Sequence, residues 1–167
     1  KSYKPLISMA QRTWKCSVLT GEGRYVWDEF QRLHQQVSGR ITRSQNSWEL
    51  QYQAILSGKA FLIYLQGEDD LMIGGGYFSI TGDECSYSVA AYDRSLFDKP
   101  VGHLVQFQAI TICQDMGVKW YRIGRRFYSQ DQPSPSDKEV SISLFKEGFA
   151  SHVFPRFVYC YLPVNNE

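Results

Sequence analysis

Three apolar or alternating segments follow one another closely in the middle of the chain, and they constrain the fold more than any other feature. They occupy residues 60–66, 71–81 and 85–92, and short polar turns at residues 68–70 and 82–83 separate them. Segments of this length and pattern are typical of β-strands joined as hairpins. The sequence therefore predicts an antiparallel meander of three strands, whose apolar faces must be covered by helices.

The segment before the meander predicts one strand and two helices. Alternating side chains at residues 14–19 indicate the strand. The first helix ends at Gly39, and the second begins at a capping box of Asn46 and Glu49 and ends at Gly58. The apolar positions that define their buried faces are Val26, Phe30, Leu33 and Val37 in the first helix and Trp48, Tyr52, Ile55 and Leu56 in the second.

The segment after the meander alternates between helices and strands. The pattern predicts a largely buried helix at residues 103–116, a strand at 118–124, a loop at 127–137, a short helix capped by Ser136 and Glu139, and a last strand at 157–162. The whole order predicts an α/β (α+β) fold, in which about four helices flank a mixed, mainly antiparallel central sheet. We expect a single domain spanning residues 1–167. Gly74, Gly75 and Gly76, in the middle strand, predict a bulge or a close backbone approach.

The charge balance and the cysteines exclude several classes of protein. The 18 basic and 17 acidic residues leave a net charge of +1, too little to attract nucleic acid or an anionic membrane over a whole face. Cys16, Cys85, Cys113 and Cys160 lie far apart, so we expect reduced, mostly buried thiols. His34 and His152 have no carboxylate at metal-ligand spacing, so we expect no metal site. The chain has no apolar run long enough to span a membrane and no signal peptide at its start, which predicts a cytoplasmic protein.

Several short motifs lie between Tyr92 and Phe149. They are Tyr92-Asp93-Arg94, Lys99-Pro100-Val101-Gly102-His103-Leu104, Gln106-Phe107-Gln108-Ala109-Ile110, Ile123-Gly124-Arg125 and Phe145-Lys146-Glu147-Gly148-Phe149. Together with the predicted order of elements, they resemble the FemAB-related acyltransferases of the GNAT superfamily, over residues 25–157. The resemblance implies an N-acyltransferase in which a break between the fourth and fifth strands of the sheet receives the acyl donor.

One segment departs from the members of this superfamily that use coenzyme A. Those enzymes carry a pyrophosphate loop of the form Gln/Arg-x-x-Gly-x-Gly/Ala after the fourth strand, whereas residues 94–102 contain one glycine together with Asp98 and Pro100. The successive backbone N–H groups of such a segment are poorly placed to cradle a pyrophosphate. Because FemAB-type members also lack the loop, the resemblance leaves two acyl donors open, aminoacyl-tRNA and acyl-CoA, and implies no tightly bound cofactor.

The resemblance also implies the acceptor and the partners. The acceptor would be an amine of a small sugar, a peptide or a cell-wall precursor, and aminoacyl-tRNA would be a partner if it is the donor. Because the chain begins at Lys1 and not at Met, we expect a piece of a longer protein, which could carry a second GNAT-like lobe. Two alternatives stay open: a catalytically silent lobe that binds a ligand, and a CoA-dependent N-acetyltransferase with a degenerate pyrophosphate loop.

Three residues are candidates for the chemistry of transfer, which needs a positioned amine, a proton acceptor and stabilisation of the oxyanion, but no protein nucleophile. In the resemblance Lys146 borders the site, where an ammonium can hold a phosphate or the oxyanion; the alternative is a solvated lysine. His103 lies in the first turn of a predicted helix and would be a neutral base, or a capping or packing residue. Tyr92, at a strand end, could offer its hydroxyl to the cleft.

Five further residues are candidates for substrate binding, namely Arg125, Arg126, Phe145, Gln106 and Glu139. The two arginines follow the end of a predicted strand and could clamp a phosphate or a carboxylate, although strand alternation would direct them to opposite faces. Phe145 and Gln106 belong to the motifs that carry the resemblance. Glu139 could accept a proton, but its simpler role is to complete the capping box.

Overall fold

The centre of the fold is a five-stranded sheet, and the computed structural model describes residues 2–155, 157 and 159. The strands, in their spatial order, are β1 (Lys15–Leu19), β2 (Ala60–Gln66), β3 (Met72–Thr81), β4 (Glu84–Tyr92) and β5 (Trp120–Arg122). Neighbours from β1 to β4 are antiparallel, whereas β5 is parallel to β4. The predicted meander is confirmed, and the strand predicted at residues 157–162 lies largely outside the described residues.

Within the described residues five α-helices accompany the sheet. They are α1 (Lys4–Thr13), α2 (Arg24–Ser38), α3 (Gln45–Leu56), α4 (Val101–Asp115) and α5 (Asp137–Glu147), and a 3-10 turn, Arg94–Leu96, precedes α4. The mixed, mainly antiparallel sheet with flanking helices confirms the predicted α/β (α+β) class. The chain divides into two compact units, of which the first ends at Gly124 and holds the sheet and α1 to α4, and the second begins at Arg125 and holds α5.

Two apolar layers cover the sheet of the first unit. α2 and α3 cover one face, where the rings of Trp27 and Trp48 meet edge to face with centroids 5.5 Å apart. α1 and α4 cover the other face, where Phe61 and Phe78 stack with centroids 5.0 Å apart. Successive side chains of β2 alternate between the two layers, as they must in a strand that is buried on both faces.

The start of α3 differs from the prediction. The N-cap residue is Ser44, whose hydroxyl accepts the backbone N–H of Ser47 at 3.2 Å, while Asn46 lies inside the helix. Glu49 forms an ion pair with Arg24 at 2.6 Å instead of reaching back to the helix start. The predicted capping box at Asn46 is therefore wrong, because an earlier serine supplies the cap and a cation on α2 engages the carboxylate.

The sequence does not predict α1. Only one of its ten residues, Ala10, is completely buried, and the larger apolar side chains Leu6 and Met9 remain exposed. A helix that buries so narrow a stripe leaves a weak periodic signal in the sequence. Its contribution to the fold is to pack against α4 and β1 in the same apolar layer.

An extra residue in β4 changes the face that its side chains occupy. Two consecutive residues of β3 lie opposite Tyr87 and Val89, which leaves Ser88 without an opposite residue. This is a β-bulge, and it shifts the alternation of side chains by one position. Tyr87 lies in the α4 layer before the bulge, Val89 lies in the α2 layer after it, and Tyr92 lies in the α4 layer again.

Candidate active site at the open edge of β4

β4 separates from β5 after a third of its length. Three register pairs join the two strands, the last between Ser86 and Arg122. From Tyr87 to Tyr92, β4 is paired with β3 alone among the described residues. The strand predicted at residues 118–124 is therefore corrected to three residues, and Gly124 follows it with a φ of 123°, a conformation that only glycine adopts readily. In the part of the chain that the structure describes, the sheet opens between its fourth and fifth strands, as the resemblance implies.

Two tyrosines of β4 meet beside this opening. The hydroxyls of Tyr87 and Tyr92 lie 2.8 Å apart in a hydrogen bond, which is possible because the bulge brings both rings to one face. The strand beneath them carries glycine at the two points of contact. A Cβ on Gly74 would lie 2.6 Å from Cδ1 of Tyr92, and one on Gly76 would lie 2.9 Å from Cε2 of Tyr87. The predicted close approach at these glycines is confirmed.

α4 brings a buried amide to the two phenols. Gln106 is completely buried, and its Oε1 accepts a hydrogen bond from the hydroxyl of Tyr121 on β5. Its Nε2 lies near the oxygens of Tyr87 and Tyr92, yet it makes no hydrogen bond to any described residue. These four side chains, Tyr87, Tyr92, Gln106 and Tyr121, form what we call the tyrosine–glutamine cluster.

The phenols of this cluster stay protonated at physiological pH. Burial raises the pKa of Tyr87 to about 12 and raises the pKa values of Tyr92 and Tyr121 well above the usual 10, although the nearby Gln106 amide opposes the shift. A phenol with a raised pKa can donate a hydrogen bond but does not serve as a base at neutral pH. The cluster therefore presents neutral hydrogen-bond donors.

His103 lies in the first turn of α4, where the sequence predicts it. Its ring packs edge to face against Tyr3, with the centroids 4.6 Å apart. Burial lowers the pKa of His103, so the imidazole is neutral at pH 7 and can accept a proton. Among the described residues, no side chain caps the amino end of α4. The contact with Tyr3 gives His103 a packing role between α1 and α4, and a role as base stays a prediction.

The segment between β4 and α4 is folded into a compact turn. The carboxylate of Asp93 accepts hydrogen bonds from the backbone N–H and the hydroxyl of Ser95, at 2.9 and 2.8 Å, and so caps the 3-10 turn. Leu96, within the turn, packs against the α4 layer. The resemblance would place a pyrophosphate loop in this segment. Here its backbone is organised by Asp93, which places a carboxylate at the end of β4.

The second unit holds the two candidate arginines, and both are engaged in local contacts. Nη2 of Arg125 lies 3.5 Å from Oδ2 of Asp131, and its guanidinium lies over the ring of Phe127 at 4.5 Å. Arg126 forms an ion pair with Glu147 and lies over the ring of Tyr128 at 5.0 Å. A substrate anion would have to compete with these carboxylates for either guanidinium.

The other candidates of the second unit lie on α5. Glu139 completes the predicted capping box, because its Oε2 accepts the backbone N–H of Ser136 at 2.8 Å, and this hydrogen bond lowers the pKa of Glu139. Phe145 packs edge to face against Phe149, with the centroids 5.5 Å apart. Lys146 is half-buried, and burial lowers its pKa. The capping box is confirmed, and a substrate role for these residues stays a prediction.

The structure thus brings together two of the predicted site residues, Tyr92 and Gln106. Tyr87 and Tyr121 join them, and sequence reasoning missed both, because an uninterrupted strand would direct Tyr87 and Tyr92 to opposite faces. The signal that could have found them is the density of tyrosine around a glycine run. The predicted residues Arg125, Arg126, Glu139, Phe145 and Lys146 all belong to the second unit.

Two negative findings concern the described part of the chain. It contains no group of three or more His, Cys, Asp or Glu side chains that could hold a metal ion. None of its helices has the length and apolar character needed to cross a membrane.

Comparisons with known proteins place the fold. No family model and no curated protein sequence matches the chain. Among solved structures, an aminoglycoside acetyltransferase, meta-AAC0020, from an uncultured soil metagenomic sample in complex with sisomicin superposes with a TM-score of 0.68 and 12% identity, over 91% of this chain and 99% of that chain. An acetyltransferase of Trypanosoma brucei gives a TM-score of 0.62 and 10% identity, over 89% and 99%.

A longer protein also contains this fold. L-PGS from Bacillus licheniformis superposes with a TM-score of 0.57 and 13% identity, over 85% of this chain and 44% of that chain. An acetyltransferase of the GNAT family from Staphylococcus aureus superposes over 62% of this chain, with a TM-score of 0.51. At such low identities the likeness concerns the fold, and the FemAB-like subgroup is not distinguished by it. The chain has the fold of the GNAT acetyltransferases.

Proposed function

We propose that this protein is an N-acyltransferase that moves an acyl group from an activated ester or thioester to an amine of a small acceptor. The observation that carries the proposal is the opening of the sheet after Ser86, beside which the tyrosine–glutamine cluster presents neutral hydrogen-bond donors. The likeness in fold to acetyltransferases supports the same activity class. Fold alone would not be sufficient, since one fold can serve many functions.

The chemistry of this transfer makes modest demands on the protein. The nitrogen lone pair of the acceptor amine forms a bond to the acyl carbon, an oxyanion develops on the carbonyl oxygen, and the bond to sulfur or oxygen of the donor then breaks. The amine gives up a proton, and the leaving thiolate or alkoxide takes one up. His103, with its lowered pKa, is our candidate for accepting the amine proton. Lys146 is our candidate for holding an anionic part of the donor.

Two donors share this activated acyl group, namely acyl-CoA and aminoacyl-tRNA. The compact turn at residues 94–96, capped by Asp93, does not have the form of a glycine-rich pyrophosphate loop. Because acyl-CoA is then not the preferred donor, both donors should be tested side by side. For the acceptor we propose an amine on a sugar, a peptide or a cell-wall precursor. Amino sugars are the first class to test, because one structural neighbour is an aminoglycoside acetyltransferase that was crystallised with sisomicin.

A second candidate is a catalytically silent lobe that binds a ligand within a longer protein. The observation that favours it is the likeness to L-PGS, because the matching region makes up 44% of that longer chain. The engagement of Arg125 and Arg126 with carboxylates of their own unit also supports this candidate, because it leaves fewer cations for a donor phosphate.

The experiment that separates these functions measures transfer from two labelled donors. Radiolabelled acetyl-CoA and charged tRNA are each incubated with the protein and a panel of amino sugars and dipeptides, and labelled product is counted. The Lys146→Ala variant tests the second unit, and Lys138→Ala, exposed on the same helix, is the matched control. We expect transfer from one donor, a decrease in Lys146→Ala and none in Lys138→Ala. Absence of transfer from both donors would contradict the proposed N-acyltransferase activity and would favour the catalytically silent lobe.

A further inference from the structure

Two buried thiols meet at the junction of β4, β5 and α4. Cys85 lies directly opposite Tyr121 in the parallel pairing of β4 with β5, and Cys113 lies in the last turn of α4. The two side chains belong to the same apolar layer, are 0% and 4% exposed, and form a hydrogen bond with each other. Both cysteines are free thiols. The chemistry of acyl transfer uses neither of them.

The thiol pair lies at the point where the sheet divides. Cys85 directly precedes Ser86, the last residue of β4 that is paired with β5. The chain between the two cysteines, residues 86–112, contains the open part of β4, the compact turn at residues 94–96 and most of α4. This segment is therefore the wall of the opening on the side of β4. A bond between the two sulfur atoms would close that wall into a loop whose ends are fixed at the base of the opening.

The two thiols are not equivalent. The hydrogen bond between them raises the pKa of Cys85 and lowers the pKa of Cys113, and burial raises both. Cys113 is therefore the first of the two to form a thiolate, which is the form that reacts with peroxides, while Cys85 keeps its proton. Cys113 also keeps a small exposed fraction and lies near the end of α4, where a helix opens most readily. A molecule as small as hydrogen peroxide can reach the sulfur there.

Resting on the proposed function, we propose that Cys85 and Cys113 form a reversible disulfide in response to a peroxide, and that this bond restrains the wall of the opening and slows the entry of the acyl donor. Hydrogen peroxide converts the Cys113 thiol to a sulfenic acid and releases one water. The sulfur of Cys85 then attacks the sulfenic sulfur, the S–S bond forms, the S–O bond breaks, and the hydroxyl leaves with the Cys85 proton as a second water. Two electrons pass from the sulfur pair to the peroxide. A small dithiol reverses the step and is itself oxidised to a disulfide.

The restraint acts on the conformations in which this segment moves away from the rest of the sheet. A disulfide removes conformations that hold the two ends of a loop far apart, and it leaves the closed conformation available. Opening of residues 86–112 should therefore become rarer in the oxidised protein, whereas local opening of α2 and α3 should not change. Because movements of the segments that border a site commonly limit the entry of ligands, a restrained wall admits the donor more slowly.

The test compares the oxidised and reduced forms of one protein, so that neither thiol of the pair is substituted. Cys16→Ser and Cys160→Ser are combined to leave only Cys85 and Cys113, and the folded protein is treated with hydrogen peroxide. We expect the mass to decrease by about 2 Da, a peptide map to link Cys85 with Cys113, and dithiothreitol to reverse both changes. Amide hydrogen exchange at residues 87–112 should slow by about 100-fold on oxidation, and exchange in α2 and α3 should not change. The kcat/KM for the donor should decrease about tenfold and recover on reduction.

Cys113→Ser in the same background is the matched control, because peroxide should then change neither exchange nor transfer. A link that forms only after unfolding in urea, or a stable gain of oxygen at Cys113 in place of the link, would overturn the inference. A link that leaves exchange at residues 87–112 or the kcat/KM unchanged would overturn the restraint. Absence of transfer by the reduced protein from both acetyl-CoA and charged tRNA would contradict the proposed function itself, and the mass and exchange measurements would still decide whether the thiol pair is a redox site.

Discussion

Gly74 lies directly against the ring of Tyr92, so that a Cβ on Gly74 would come within 2.6 Å of Cδ1 of that ring. The same atom would lie 2.9 Å from Cγ1 of Val101, at the beginning of α4. A real Cβ does not approach other carbon atoms so closely, so either the ring or the helix must move. The glycine run of β3 is thus a condition for the position of Tyr92.

The first prediction follows from this contact. Gly74→Ala should lower the free energy of unfolding by about 1 to 3 kcal/mol and should displace Tyr92, with a loss of transfer activity. Urea unfolding and the transfer assay measure the two effects. Gly21→Ala is the matched control, because a Cβ there would have no atom within 4 Å. Equal stability of both variants would contradict the close packing.

The second prediction concerns Ser143 in the second unit. This serine is 2% exposed, and its hydroxyl accepts the backbone N–H of Phe127 at 2.8 Å. Ser143→Ala should leave that N–H without its partner, at a cost of about 1 to 3 kcal/mol. Hydrogen exchange at the Phe127 amide should accelerate, and thermal unfolding should begin earlier. Ser141→Ala, exposed on the same helix, should change neither measurement.

The third prediction is a pH dependence of stability that comes from His103. Burial holds the folded pKa of His103 below its ordinary value of 6.5, so below that pH the unfolded chain binds the proton more readily. The stability is complete above 6.5 and is lost as the pH falls through the window down to the folded pKa. His103→Gln should therefore reduce the decrease in unfolding free energy on acidification from about pH 7 to pH 5. His152→Gln, at an exposed position, is the control for the substitution itself.

The fourth prediction concerns the thiols. Burial raises the pKa of Cys16 to about 11, while Cys85 and Cys113 are 0% and 4% exposed. In a Cys160→Ser variant, alkylation by iodoacetamide should be slow at pH 7 and should accelerate about tenfold per pH unit as the Cys16 thiolate forms. Mass spectrometry of the peptides identifies the labelled residue, and labelling in urea is the control. Rapid modification of Cys85 in the folded protein would contradict its burial.

The fold was largely predictable because its main elements carry their signal within short segments. The continuous apolar run of β2 and the capping box of Ser136 and Glu139 depend on neighbours in sequence, and both agree with the structure. α1 was not predictable because it buries a single small residue, and the absence of a capping box at Asn46 was not predictable because Glu49 contacts a distant residue. Glu49 is drawn to Arg24, which lies 25 positions away in the sequence.

The candidate site was predictable in part for the same physical reason. The sequence indicates Tyr92 by its place at a strand end and Gln106 by its place in a motif, but no local pattern shows that they meet. Their association depends on the crossover through α4 and on the bond to Tyr121, both of which are long-range. The ion pairs that engage Arg125 and Arg126 are likewise formed by side chains that the spacing does not single out.

Because of the bulge at Ser88, substitutions in β4 and the loss of a residue from it have different consequences. Substitutions between residues 87 and 92 alter which side chain stands beside the opening, but each position keeps its layer. Loss of the single extra residue would instead exchange the layers of every position after it, moving Tyr92 beneath α2 and turning its neighbour Ala91 towards α4. Among sequences related to this chain, we therefore expect the number of residues in β4 to vary less than their identity.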